Sequence, residues 1–198
     1  MADRVVAMST ETTDLTAHLA EQVDWHWQHQ LRPRFDGLTD DEYFWEPVPG
    51  CWTVRRPGAE PPGNRSSRDG LIDFTFPPPQ PEPVTTIAWR LAHVIVGVLA
   101  VRAHSHFGGP PAAYETWDYA GDAATALRQL DDAYHGWMAG VRNLTAAELD
   151  QPVGPAEGPW ADRPMLDLIL HINREVIHHG AEIALLRDLY AHTTTKEI

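Results

Sequence analysis

At 198 residues the chain is long enough for one well-buried core and short for two, so a single domain over residues 1–198 is expected. With 43% hydrophobic and 22% charged residues its composition is globular, and no uncharged apolar run approaches the ~20 residues of a membrane span. The 28 acidic and 15 basic residues give a net charge of −13, which repels phosphate backbones and anionic lipid surfaces and argues against nucleic acid or a membrane as partner.

Met1 to Leu15 mixes Asp3, Arg4, Glu11 and Asp14 with short apolar pairs and lacks the apolar core of a signal peptide, so a cytoplasmic location is expected. A first helix follows the cap signal Thr12-Thr13-Asp14 and runs through Leu15, Leu19, Val23, Trp27 and Leu31, until Pro33 and Gly37 end it. Thr39-Asp40-Asp41-Glu42 reads as a capping box opening a short helical turn before Pro47, Pro49 and Gly50. The lone cysteine, Cys51, excludes an internal disulfide and agrees with a reducing compartment; with no basic neighbour before Arg55 it reads as a packing residue.

From Cys51 to Pro83 the pattern changes. Cys51-Trp52-Thr53-Val54 and Leu71-Ile72-Asp73-Phe74-Thr75-Phe76 are short β-type runs around a Gly/Pro/Ser/Arg-rich stretch, which predicts a surface hairpin with a mobile tip and a stiff proline-rich exit, Pro77 to Pro83. This is an insertion at residues 51–83 between the first two long helices. Thr85-Thr86 then caps a strongly apolar second helix, Ile87 to Arg102, closed by Gly108-Gly109-Pro110. The third follows Asp122, its Leu127, Leu130, Tyr134, Trp137, Val141 and Leu144 alternating three and four apart, the seam of a helix packed at a shallow angle. The fourth runs from about Pro164 to Tyr190 and is apolar over most of its circumference, which predicts that it is largely buried.

A weak repeat supports this division. Gly37-Leu38-Thr39-Asp40-Asp41-Glu42 with Pro47-Val48 recurs as Asn143-Leu144-Thr145-Ala146-Ala147-Glu148 with Pro152-Val153, each copy between a long helix and a buried one that carries a histidine, His93 or His171. Two helical hairpins related by an approximate two-fold would give that pattern, and hence an all-α bundle of four long helices.

The eleven histidines are the excess that points to chemistry, since imidazole is the commonest metal ligand. On a helical wheel His171, Glu175, His178, His179 and Glu182 of the fourth helix fall within an arc of roughly 100°, with Leu168 and Leu186 on the meridian between Glu175 and His179, so the stripe points inward. Buried without partners, a carboxylate and an imidazole would each cost several kcal/mol, about what a cation would relieve. Residues four apart stack on one helix face, which suits Glu175 with His179 and equally His171 with Glu175; spacing alone leaves both pairs open. His93, mid-helix between Leu91, Val94 and Val96 with no local charge to justify it, is the best third donor. The competing reading is a core His93 hydrogen-bonded to Glu175, with His171 and His178 on a solvated edge; taken together on two buried helices, the residues favour metal. His26 and His29, beside Trp25 and Trp27, are candidates to line the same pocket, and His104, His106 and His135 are peripheral.

The long helix with Trp25 to Arg34, the Gly37-Leu-Thr-Asp-Asp-Glu-Tyr segment, Trp89-Arg90-Leu91-Ala92-His93, and above all Arg174-Glu175-Val176-Ile177-His178-His179-Gly180 resemble the DinB-like four-helix-bundle superfamily over residues 12 to 190. Its better characterised branch is the mycothiol-dependent maleylpyruvate isomerases. The resemblance implies an up-down-down-up bundle, often a homodimer, with one divalent metal held by His93, Glu175 and His179, and with His171, His178 and Glu182 as second-shell or pocket groups. It further implies that the ion, zinc first among zinc, nickel, iron and manganese, binds a low-molecular-weight thiol such as mycothiol or bacillithiol and lowers its pKa for attack on an electrophile. The isomerases carry an added C-terminal domain, whereas this chain ends at Ile198 soon after the fourth helix, so maleylpyruvate isomerisation itself is not expected. The functional expectation is a metal-dependent, thiol-using S-transferase or isomerase-like enzyme. The alternative is a non-catalytic metal-binding or structural, stress-associated bundle acting through dimerisation or a protein partner.

Overall fold

The structure, a computed structural model, describes residues 14–55 and 72–194; Thr12, Thr13, Leu71 and the Gly/Pro/Ser/Arg-rich tip of the insertion lie outside the described residues. Its long elements are all helical, and the described residues contain isolated β-bridges but no strand.

Helix α1 (Leu15–His26) starts where the Asp14 carboxylate accepts the Ala17 N–H, and runs on without a break through a π-helical turn, Trp27–Leu31, and a 3-10 turn, Arg32–Phe35. Leu19, Val23, Trp27 and Leu31 are buried, while Leu15, the first residue of the helix, is left 44% exposed. The Trp27 ring lies flat on Tyr134, centroids 3.8 Å apart, and ties this helix to the one over Ala123–Arg142.

Helix α2 (Asp40–Tyr43) is capped by Thr39, whose hydroxyl accepts the Glu42 N–H. Here the expected capping box is only half made. The Glu42 carboxylate does not reach back to Thr39; it is buried against the guanidinium of Arg187, which also donates to the carbonyls of Arg34 and Asp36. A charge-assisted pair is stronger than a cap bond, and so the side chain turns to it. The repeat copy has no such arginine: α6 (Ala146–Leu149) is closed by Thr145 and Glu148 reciprocally.

Helix α3 (Ile87–Ala92), a π-helical stretch His93–Ala100 and α4 (Val101–Phe107) form one continuous apolar helix. Thr86 caps its start and Gly108, in the left-handed region, ends it. It is the one described helix with the length and composition to cross a membrane, and 61% of that apolar window is covered by the rest of the protein. Helix α5 (Ala123–Arg142), N-capped by Asp122, and helix α7 (Met165–Thr194) pack against the π-helical stretch, and α1 packs against both of them.

Two expectations are corrected. Helix α7 is not buried over most of its circumference. Leu168, Ile169, Ile172, Val176 and Ile183 face the core, but Leu170, Leu185 and Leu189 are 41–59% exposed, because α7 has packed neighbours on one side only among the described residues. Nor do the insertion's flanks stand out as a surface hairpin. Val54 bridges Ile72 antiparallel, Trp52 bridges Thr85 in parallel, and Cys51, Thr53, Val54, Ile72 and Asp73 are all buried. The Asp73 carboxylate accepts the Thr53 N–H and the Arg55 guanidinium, and Trp89 of α3 donates to the Asp73 carbonyl at 2.7 Å. These bonds seat the flanks on α3.

Arg187→Met would strand the Glu42 carboxylate, whose side chain is 7% exposed. Stability should fall by about 3 to 5 kcal/mol in urea unfolding, and Glu42→Gln on the same background should recover much of it.

Candidate metal centre

Glu175 and His179 stand four apart on α7, one turn above the other, and Glu175 Oε2 lies 3.2 Å from His179 Nε2. His93, the first residue of the π-helical stretch, meets them from the facing helix, its ring edge-on to His179 with centroids 4.8 Å apart. One ligand atom from each of the three lies within 4.8 Å of the other two. Ligand bonds of about 2.0–2.2 Å put tetrahedral donors about 3.4 Å apart, so small side-chain adjustments would close the three on one ion.

The second ring nitrogens are already engaged. His179 Nδ1 is 2.7 Å from Glu182 Oε2, and Glu182 pairs in turn with Arg90 of α3 at 3.1 Å. His93 Nδ1 is 3.1 Å from the hydroxyl of Tyr114, which lies in the loop before α5. This leaves Nε2 of each histidine for the centre, with an oxygen partner holding the other nitrogen, the usual way a ligating histidine is oriented.

Burial leaves His93 in a form that can bind a metal. Burial, then the neighbouring His179, Arg90 and Arg102, push the His93 pKa down to about 3, so its imidazole is neutral, the form that coordinates metal. Burial works against ionised Glu182, but the His179 hydrogen bond and Arg90 outweigh it and hold the carboxylate below its usual range. Glu175 and Glu182 place two carboxylates at the site, with Arg90 paired to Glu182 and Arg174 4.0 Å from Glu175. Two imidazoles and a carboxylate are a donor set that suits a divalent ion.

A family model of the DinB superfamily matches residues 22–183, most of the chain and all three donors. The chain belongs to the DinB superfamily. No curated protein and no solved structure matches it.

In this DinB protein the remaining histidines separate by position. His171 Nδ1 is 3.5 Å from Glu175 Oε1 and accepts from Arg174 at 2.9 Å. It also lines a half-open cavity of 560 Å³ between the 3-10 turn Pro155–Trp160 and the start of α7, so the cavity wall adjoins the donor cluster. His178 is exposed, with Nε2 3.5 Å from Glu182; these two and His179 form a second close group, beside which Arg90 repels a second cation. His26 bonds Gln30, and His29 bonds the Trp25 carbonyl and stacks on the Trp25 ring; neither joins the donor group nor lines the cavity.

The sequence reading missed Tyr114. Its hydroxyl sits over Gly97, where a Cβ would stand 1.7 Å from it, and the signal available was a glycine four residues after His93 in an otherwise apolar helix. Burial, offset in part by Arg102, raises the Tyr114 pKa to about 12, which keeps the hydroxyl protonated. Gly97→Ala should therefore expel Tyr114 and cost about 1 to 3 kcal/mol in denaturant unfolding. It should also shift the His93 imidazole resonances; unmoved resonances would show that Tyr114 does not orient that ring.

Proposed function

We propose that His93, Glu175 and His179 hold one divalent metal ion, zinc in the first instance, with nickel, iron or manganese compatible with the same donors, in a single-domain up-down-down-up four-helix bundle. The protein would act in the cytoplasm as a thiol-dependent S-transferase or isomerase-like enzyme on a small electrophile. The observation that carries this reading is the convergence of three donors from two helices, each histidine held at Nδ1 by an oxygen partner.

Three protein donors leave room for an exogenous ligand, the arrangement of catalytic rather than closed structural sites. A bound ion would supply one thing, a lowered pKa for a coordinated thiol such as that of mycothiol or bacillithiol, so that it reacts as thiolate at neutral pH. The chain's own residues do the rest. Glu182, held by Arg90, accepts from Nδ1 of His179 and leaves Nε2 for the ion, and Tyr114 orients the ring of His93. His171 accepts the Arg174 N–H at Nδ1 and so presents its Nε2–H as a hydrogen-bond donor beside the cavity.

Purified protein should contain close to one metal ion per chain by elemental analysis, lost in His93→Ala, Glu175→Ala and His179→Ala. Glu182→Gln should retain the site but weaken zinc binding by about 10- to 100-fold. With mycothiol or bacillithiol and a generic electrophile such as 1-chloro-2,4-dinitrobenzene, loaded protein should form conjugate faster than the EDTA-treated control. Bound metal with equal rates would leave metal binding without this chemistry; wild-type protein that takes up no metal would end the proposal.

A further inference from the structure

The 560 Å³ cavity beside the donor cluster has the size of a small-molecule site and an unusual lining for so acidic a chain. Arg102, Arg163 and Arg174 line it, against two carboxylates, Glu157 and Asp167. Those carboxylates do not satisfy the arginines. Glu157, its side chain 9% exposed, is shared between Arg102 at 3.2 Å and His106 at 3.0 Å. Asp167 meets Arg163 only at 3.6 Å, and both are largely exposed. Arg174 gives its tightest bond to a neutral acceptor, His171 Nδ1, and stands 4.0 Å from Glu175. The Nε–H of Arg102 is buried with no partner among the described residues. Arg102 gives its terminal nitrogens to Glu157 and to the Gly97 carbonyl, so the donors left to the cavity are those of Arg163 and Arg174.

The rest of the wall is apolar. Trp160 and Leu170 are 63% and 43% exposed at its rim, and Leu168 is buried behind them. Planar forked donors recognise carboxylate and phosphate, and an exposed indole takes the flat or aliphatic body attached to such a group.

We infer that this cavity binds a small molecule carrying an oxyanion, a carboxylate or a phosphate, on an apolar body. The inference deepens the proposed function by naming a substrate class, and it rests on that reading only in treating the cavity, through His171, as the approach to the donor cluster. The anion is met by Arg163 and Arg174, and the apolar body by Trp160 and Leu170.

The test is a fluorine NMR titration of the full chain with 4-fluorophenylacetate, 4-fluorobenzylphosphonate and the neutral 4-fluorophenylacetamide, on zinc-loaded and on EDTA-treated protein. At least one anion should bind about tenfold or more tightly than the amide in both samples, and the one that binds identifies the head group. Arg163→Gln/Arg174→Gln, both exposed positions, should abolish that preference with circular dichroism unchanged; Arg163→Gln alone should reduce it if the double variant misfolds. Anions that bind no better than the amide would overturn the inference. So would a preference that ignores the arginine variants, or one confined to the zinc-loaded sample, where the ion itself would be the binder. Anion preference in a protein that takes up no zinc would sink the metal reading alone, and zinc uptake without anion preference would sink this inference alone.

Discussion

The imidazole of His179 is engaged at both nitrogens, by Glu175 on one side and Glu182 on the other, while only 8% of the residue reaches solvent. A buried ring so held cannot rotate without giving up its Nδ1 hydrogen bond to Glu182, about 1.5 to 3 kcal/mol. The constraint extends to the helix pair, because Glu182 also binds Arg90 on α3. Sliding α7 by one turn, about 5.4 Å, would part Glu182 from Arg90 and His179 from His93 together. A partly buried ion pair adds little net stability, but it distinguishes one register from the next. Gly180 acts in the same place: a Cβ there would stand 2.5 Å from the Leu31 side chain, so the residue after His179 has to be small for α7 to lie this close to the first helix.

On the facing side His93 is held by packing. Tyr114 caps its Nδ1 from above Gly97, and Trp89, one turn earlier, stacks on its ring at 15° and 5.6 Å. Trp89 is in turn fixed by Asp73 and lies against Trp52. A line of contacts therefore runs from the flanks of the insertion to the donor histidine. Asp73 can be buried beside Trp89 because its carboxylate accepts from Arg55 and from the Thr53 N–H.

What was legible in the sequence was whatever depends on local spacing. The helices start at Asp14, Thr86, Asp122 and Thr145 because a side-chain oxygen three residues before a free N–H is a local arrangement. Glu175 and His179 facing His93 were legible for the same reason, whereas His171 and His178, read into the same inward stripe, have side chains 43% and 63% exposed, because the stripe is wider than the face that α7 packs. What depends on a distant partner was not. Glu42 has the spacing of a capping box, and only Arg187, at the other end of the chain, turns it away. Tyr114 lies in a loop with no period to mark it, and no pattern announces the π-helical stretch that begins at His93. The apolar residues of α7 predict burial only if neighbours surround the helix, which composition cannot tell.

The choice of cation follows from the same long-range pairing. Of the fifteen basic residues one is lysine, Lys196, and the rest are arginine. At net charge −13 any cation would ease self-repulsion, so charge alone does not explain the bias. The pairs do. Arg32 grips Asp131 through two nitrogens, Arg55 grips Asp73 the same way, and Arg187 holds Glu42 while also closing the carbonyls of Arg34 and Asp36. Each joins segments far apart in sequence across a partly dry contact, where a forked, weakly hydrated guanidinium can bind a carboxylate bidentately and an ammonium cannot. The cavity arginines differ in one respect. Arg163 and Arg174 have the same fork and are not closed on a carboxylate in this way, which is what separates a binding surface from a structural clip such as Arg32, Arg55 or Arg187.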